Sequence, residues 1–306
     1  MICCPDASGI EYSNFLSPYF RGKGFSFMGE YINFNGNIIR ENEPVFKASS
    51  RAARFGDGLF ETMRVRNGKI LFEEMHSERL FNGLALMCFS TPPSFDWSFL
   101  RSAIALLLEK NAHHQHARVR LMVTRGDGGI MDEPMDAPQF LVETWEANEY
   151  RFEEKGLKVD MFTDFPKARC RYANIKTCNF LPSVMATFYA KENGLDECLL
   201  VNDAMRVCDA TISNIFWVKR STVFTTWLNE GGVGGVMRAY LMKLLPEHGI
   251  RVIETATRLN ELHGAEELFL TNVIRGVRWV KEMGSTKFTN SWSRKVFDIM
   301  IRSLNY

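Results

Sequence analysis

Lys176 lies in the stretch "YANIKTCNFLPSVMA", between an extended-looking segment and a helix-like one, with no carboxylate within five residues on either side. A lysine held at the end of an element in an apolar setting has its ammonium disfavoured by desolvation. Its pKa falls, and the free amine becomes a nucleophile. Taken alone, the residue reads more plainly as a solvated loop lysine. Glu230 to Arg238, "EGGVGGVMR", places glycines ahead of a helix start. Such glycines let backbone N–H groups approach a phosphate, and the helix N-terminus carries partial positive charge. The run is no Walker loop, because no Gly-Lys-Ser/Thr follows. It also lacks the strand-to-helix Gly-x-Gly-x-x-Gly unit of a dinucleotide site, and a flexible loop is the plainer alternative.

Asp209, in "MRVCDATISNIFWV", sits within an apolar, strand-like run. An unpaired carboxylate there would be costly, so it should face a cation or a protonated nitrogen. An ordinary turn aspartate is the alternative, given the Thr and Ser that follow. "EELFLTNVIRGV" ends a strand on Thr271 and Asn272, and Arg79 in "HSERL" sits on a helix, ready for a bidentate phosphate contact. An amine nucleophile, a phosphate cradle and a buried carboxylate are together what pyridoxal 5'-phosphate requires.

The elements that must position these groups fall into two sets. "EYINFNGNIIREN" reads as two short strands about an Asn35-Gly36 turn. Two more strands flank Asn67-Gly68, followed by a helix from about Met75 through Met87. "SFDWSFLRSAIALLLEKN" is a helix starting at Ser94 or Asp96, and "ARVRLMVTRGDG" and "PQFLVETWEA" are strands. Residues 28–147 therefore form a small α/β domain, and the polar residues 148–156 connect it to a second domain over 157–306. That second part alternates strands and helices, with a helix over Leu181–Glu192 and a closing helix in "SWSRKVFDIMIRSL". Residues 1–27 show no clear period and read as a tail.

Composition excludes several partners. The 306 residues are 46% hydrophobic and 24% charged, and the net charge of +1 gives no reason to expect nucleic acid or an anionic membrane. No apolar run reaches the roughly 18 to 20 residues of a membrane span, and Asp6 and Glu11 interrupt any signal-peptide core. Seven scattered cysteines read as reduced thiols in a cytoplasmic protein. "HHQH", His113 to His116, fits no closed zinc spacing and reads as a polar loop, so no metal is expected.

The order "ARFGDGLFETMRV", "HSERL", "VRLMVTRGDGG", "IKTCNFL", "VCDATISNIF", "GGVGGVMR", "FLTN" resembles the fold-type IV pyridoxal phosphate enzymes, the class IV aminotransferase family, from Met28 to the C-terminus. The resemblance implies an α+β fold of two domains. A small N-terminal α/β domain and a larger C-terminal domain with a barrel-like sheet would hold the cofactor between them, in a homodimer acting on a small amino substrate. By position, Lys176 resembles the Schiff-base lysine and proton carrier, and Arg79 the phosphate arginine. Val236 and Met237 resemble the pair whose backbone N–H groups bind phosphate, and Asn272 lies at the later phosphate edge. Asp209 stands where the family usually has glutamate, the partner that keeps the pyridine nitrogen protonated. "NIFW", "GVMR" and "TN" are nearer to 4-amino-4-deoxychorismate lyase than to the branched-chain and D-amino-acid aminotransferases, which remain alternatives. Met237, Trp217 and Asn272 are the expected determinants of that choice. A cofactor-binding protein with weak catalysis is a further alternative, resting on Asp209 alone.

Overall fold

The structure is a computed structural model that describes residues 28–133 and 137–305. The expected tail, 1–27, lies outside the described residues. The first sheet is antiparallel and six-stranded: β1 (Tyr31–Phe34), β2 (Asn37–Arg40), β3 (Gly58–Arg66), β4 (Lys69–Ile70), β5 (His116–Thr124) and β6 (Gln139–Glu146), in the order β2-β1-β6-β5-β3-β4. The helices α1 (Arg51–Phe55), α2 (Glu73–Leu86) and α3 (Trp97–Lys110) accompany it. Asp96 caps α3 by accepting a hydrogen bond from the Phe99 N–H at 2.8 Å, the start expected from its position.

Side chains alternate across a strand, and in β3 and β5 that alternation divides labour. Leu59, Met63 and Val65 of β3 pack with Val119, Leu121 and Val123 of β5 against Leu80 and Leu84 of α2 and Leu100, Ile104 and Leu107 of α3. The intervening residues, Phe60, Thr62 and Arg64 of β3 and Arg118, Arg120 and Met122 of β5, line a cleft between the two sheets.

The second sheet is nine-stranded and mixed. It comprises β7 (Leu157–Lys167), β8 (Glu197–Asn202), β9 (Val207–Ala210), β10 (Asn214–Lys219), β11 (Thr222–Thr226), β12 (Val252–Thr255), β13 (Glu267–Asn272), β14 (Gly276–Met283) and β15 (Thr286–Lys287). The order is β12-β11-β10-β13-β14-β7-β8-β9, with β15 on β14. The sheet curls on itself: the Val207 N–H on β9, at one end, donates to Thr257 just beyond β12, at the other, at 2.8 Å. This is the barrel-like sheet the sequence led us to expect.

The helices α4 (Leu181–Glu192), α5 (Val236–Glu247), α6 (Leu259–His263) and α7 (Ser291–Ser303) complete the chain. The strand β10 is buried on both faces. Ile215 and Trp217 face the barrel interior with Leu268 and Leu270. Phe216 and Val218 face outward with Phe269 against α5 and α7, and Phe216 and Phe269 stack at 5.2 Å. α1, α6 and β15 escape the sequence reading because two to five residues are too few to show a period.

Candidate active site

The cleft between the sheets has a volume of about 1030 Å³ and is lined by Lys176, Arg79, Asp209, Val236, Met237 and Asn272 together. The structure thus brings the six expected cofactor-binding residues to one place. Lys176 sits in the loop between β7 and α4, and that loop is stitched to the other sheet. Its carbonyl accepts the Phe60 N–H at 2.9 Å, and the Cys178 N–H donates to Gly58 at 2.8 Å. Two backbone bonds to β3 fix the lysine where a loop residue would otherwise wander.

The Lys176 ammonium lies 4.3 Å from the centre of the Phe60 ring and 5.0 Å from that of Phe180. Burial, followed by the nearby Arg79 guanidinium, pushes its pKa down to about 8; Glu61 and Asp209 only partly oppose this. Near neutral pH the amine is therefore free far more often than that of an ordinary lysine.

Arg79 is held by Glu61, a residue the sequence reading passed over. Its Nε and Nη2 donate to the two oxygens of Glu61 at 2.8 and 2.5 Å, and its Nη1 donates to the Gly234 carbonyl at 3.0 Å. His76, one turn earlier on α2, approaches the same carboxylate through Nδ1 at 2.6 Å. Burial pushes the Glu61 carboxyl up, but Arg79 and His76 outweigh it and hold it at about 2. The signal was available: a glutamate in the apolar strand "GLFETMRV" demands a cation.

The glycine loop rests on Asn174, two residues before Lys176. Its side-chain amide donates to the Leu228 and Gly232 carbonyls at 2.8 and 2.7 Å, and its own carbonyl accepts the Gly234 N–H at 2.9 Å. Glu230 anchors the loop's entry, accepting from Asn202 and Arg206 at 2.7 Å each. Two glycines are required by close approach. A Cβ on Gly232 would lie 2.4 Å from the Cys208 carbonyl, and one on Gly235 would lie 1.9 Å from the Asn214 side-chain oxygen. Gly235 occupies the N-cap of α5 and offers no side-chain acceptor, so the first N–H groups of the helix, Val236 and Met237, border the cleft uncapped.

Asp209 on β9 meets the cation its setting demands. Its Oδ2 accepts from the Lys167 ammonium at 2.8 Å and from the Val233 N–H at 3.0 Å. Lys167 ends β7, also lines the cleft, and was not singled out in the sequence; burial works against its charge, but Asp209 outweighs burial and raises its pKa.

Asn272 borders the cleft with its side chain already engaged. Its oxygen accepts the Ile274 and Arg275 N–H groups at 3.0 and 2.8 Å, and its amide donates to Ser213 at 3.1 Å. Its neighbour Thr271 carries the unused group: a buried hydroxyl at the cleft wall with no partner. The expected determinant Trp217 is a correction. The alternation of β10 turns it into the barrel interior, stacked on Phe224 at 5.6 Å, and it does not line the cleft. His113 accounts for part of "HHQH" by pairing with Thr144 at 2.9 Å, and the described residues contain no cluster of metal-ligating side chains.

These groups fit pyridoxal phosphate. Lys176 offers an amine of lowered pKa, and the bare start of α5 with the orphaned Thr271 hydroxyl offers donors to a phosphate. Asp209 and Lys167 offer a paired charge in the same cleft.

Residues 58–283 match the amino-transferase class IV family. D-alanine aminotransferase from Bacillus licheniformis is 27% identical over 248 residues, covering 79% of this chain and 84% of its own. The structure of 4-amino-4-deoxychorismate lyase from Pseudomonas aeruginosa is similar at a TM-score of 0.76 and 27% identity, covering 90% of this chain and all of its own. The branched-chain aminotransferase of Thermoproteus uzoniensis, solved with norvaline, superposes at a TM-score of 0.81 with 18% identity, covering 90% and 95% of the two chains, a likeness of fold.

Proposed function

The chain belongs to the class IV aminotransferases, a family of pyridoxal-phosphate enzymes, and from that premise we propose that it is a 4-amino-4-deoxychorismate lyase. When bound, the cofactor supplies an aldehyde that captures amines and a ring that draws electrons from the substrate's α-carbon. In this reading Lys176 holds the cofactor and moves the proton at that carbon through Nζ. The N–H groups of Val236 and Met237, with Thr271, hold the phosphate. Arg79 supplies positive charge beside it, and Asp209 and Lys167 border the ring.

The observation that carries the substrate class is the cationic wall that β5 gives the cleft. Arg118 and Arg120 alternate inward on β5 and line the cleft together with Arg64 and Arg275. Burial lowers the pKa of Arg118, and its buried Nε has no partner. A substrate that brings anionic oxygens would relieve that cost. 4-Amino-4-deoxychorismate carries two carboxylates, one on the ring and one on the enolpyruvyl arm that leaves as pyruvate. The same wall suits a dicarboxylic 2-oxo acid, so amino transfer is the second reading, favoured by the aminotransferase relatives.

A panel of substrates on purified protein separates the two. The lyase reading expects 4-aminobenzoate and pyruvate, with little amino transfer from branched-chain or D-amino acids to 2-oxoglutarate. Rapid amino transfer without 4-aminobenzoate would overturn it.

A homodimer is part of the proposal. Leu181, Val184, Met185 and Phe188 stand 42–56% exposed on one face of α4, beside the Lys176 loop, and an apolar stripe of this kind suits a second copy. The five cysteines among the described residues are unpaired, and none of the described helices is long and apolar enough to cross a membrane. A cytoplasmic location is consistent with both.

A further inference from the structure

Asp209 is not a free carboxylate. It is buried, and its Oδ2 is shared between the Lys167 ammonium and the Val233 N–H, while its Oδ1 has only the Cys208 thiol nearby, at 3.6 Å. A lone carboxylate beside a pyridine nitrogen favours the protonated ring, because it stabilises the positive charge. An ammonium 2.8 Å from that carboxylate cancels most of the field and brings donors of its own. Lys167 has three N–H groups, of which one is given to Asp209. The side chain is largely covered, and it lines the same cleft as Lys176 and Asp209. Lys176 feels this pair across the cleft, together with the Arg79 guanidinium and the Glu61 carboxylate, and Glu61 is already paired with Arg79.

We propose that Lys167, held in place by Asp209, donates a hydrogen bond to the cofactor's ring nitrogen, so that this site binds the pyridine unprotonated. The inference rests on the cofactor placement proposed above and goes beyond it. There the pair merely borders the ring; here Lys167 is a cofactor-binding residue, and Asp209 is the residue that positions it. The consequence is an electron sink weaker than a carboxylate alone would give.

The experiment loads the full-length protein with pyridoxal phosphate labelled with 15N in the ring and records the nitrogen resonance near neutral pH. The expected shift is that of an unprotonated pyridine in the wild type. Lys167→Met, which frees the Asp209 carboxylate, should move it to the protonated position, and Asp209→Asn should leave it unprotonated. A wild-type resonance at the protonated position overturns the inference, and that spectrum decides the matter even if Lys167→Met does not fold. A wild-type resonance at the unprotonated position that Lys167→Met fails to move also overturns it. Protein that takes up no cofactor, judged by the absence of visible absorption, overturns the cofactor placement as well, so the two failures are distinguishable.

Discussion

Arg79 on α2 lays its Nε and Nη2 on the two oxygens of Glu61 on β3, at 2.8 and 2.5 Å, while its third nitrogen holds the Gly234 carbonyl of the glycine loop. One guanidinium thereby ties a helix and a strand of the first sheet to the loop ahead of α5. Removing the carboxylate leaves a mostly buried cation without a counter-ion, which typically costs about 3–5 kcal/mol. Glu61→Ala should therefore destabilise the fold by that order in chemical denaturation. It should also loosen the glycine loop, seen as weaker uptake of pyridoxal phosphate. Arg79→Ala should weaken cofactor affinity more than substrate affinity; an unchanged cofactor affinity would move Arg79 to the substrate side.

The pair also predicts a pH response. The folded pKa of Glu61, about 2, lies below its ordinary value of 4.5, so the folded chain holds this proton less tightly than the unfolded one. Its contribution to stability is complete above about pH 4.5 and is lost as pH falls through about 2. Acid unfolding of Glu61→Gln, followed by circular dichroism, should show a shallower loss of stability over that window than the wild type.

Lys176 works in the opposite range. Its pKa falls from 10.5 to about 8, so the unfolded chain binds more protons between those values. The stability of the cofactor-free protein should accordingly rise with pH across that window. Capture of pyridoxal phosphate needs the free amine, and its rate, followed by visible absorption, should climb as pH passes about 8 and then level off. A rate that is flat through that region would show that the lysine is not held as described.

The glycine loop should tolerate substitution unequally. Gly232→Ala drives a Cβ to 2.4 Å from a backbone carbonyl of β9, which cannot move without disturbing Asp209. Gly235→Ala meets the end of the Asn214 side chain, which can turn away at the cost of its 2.8 Å bond to Val233. Overpacking of this kind costs about 1–3 kcal/mol. Both variants should lose cofactor affinity, with the greater loss of stability in Gly232→Ala, measured by thermal melting.

The stripe on α4 gives a test of assembly. If this face holds the proposed homodimer, light scattering should find dimers in the wild type and monomers in Phe188→Asp, which places a charge in the middle of the exposed apolar face. Unchanged association would place the interface elsewhere.

Much of this site was readable in the sequence, because its chemistry depends on residues out of place for their surroundings. A lysine without carboxylate neighbours, an aspartate in an apolar strand and glycines ahead of a helix each break a local rule, and each lines the cleft. Glu61 broke the same rule and was passed over, because its run reads first as a strand. Lys167 and Asn174 gave less warning. Lys167 lies 42 residues from Asp209, and Asn174 lies 58 residues from Gly232, so these contacts exist only once the second sheet has curled. Trp217 was misplaced because a strand buried on both faces gives no period to show which side points to the cleft.

The central claim is that Lys176, pinned to β3 and deprived of water, is the lysine that bonds pyridoxal phosphate. Borohydride reduction of the cofactor-loaded protein, followed by tryptic digestion and mass spectrometry, tests it directly, since Arg169 and Arg171 separate Lys167 and Lys176 into different peptides. The account predicts the added cofactor mass on the peptide that begins at Tyr172 and contains Lys176. The mass on the peptide that contains Lys167 and ends at Arg169, or on any other lysine, would contradict it.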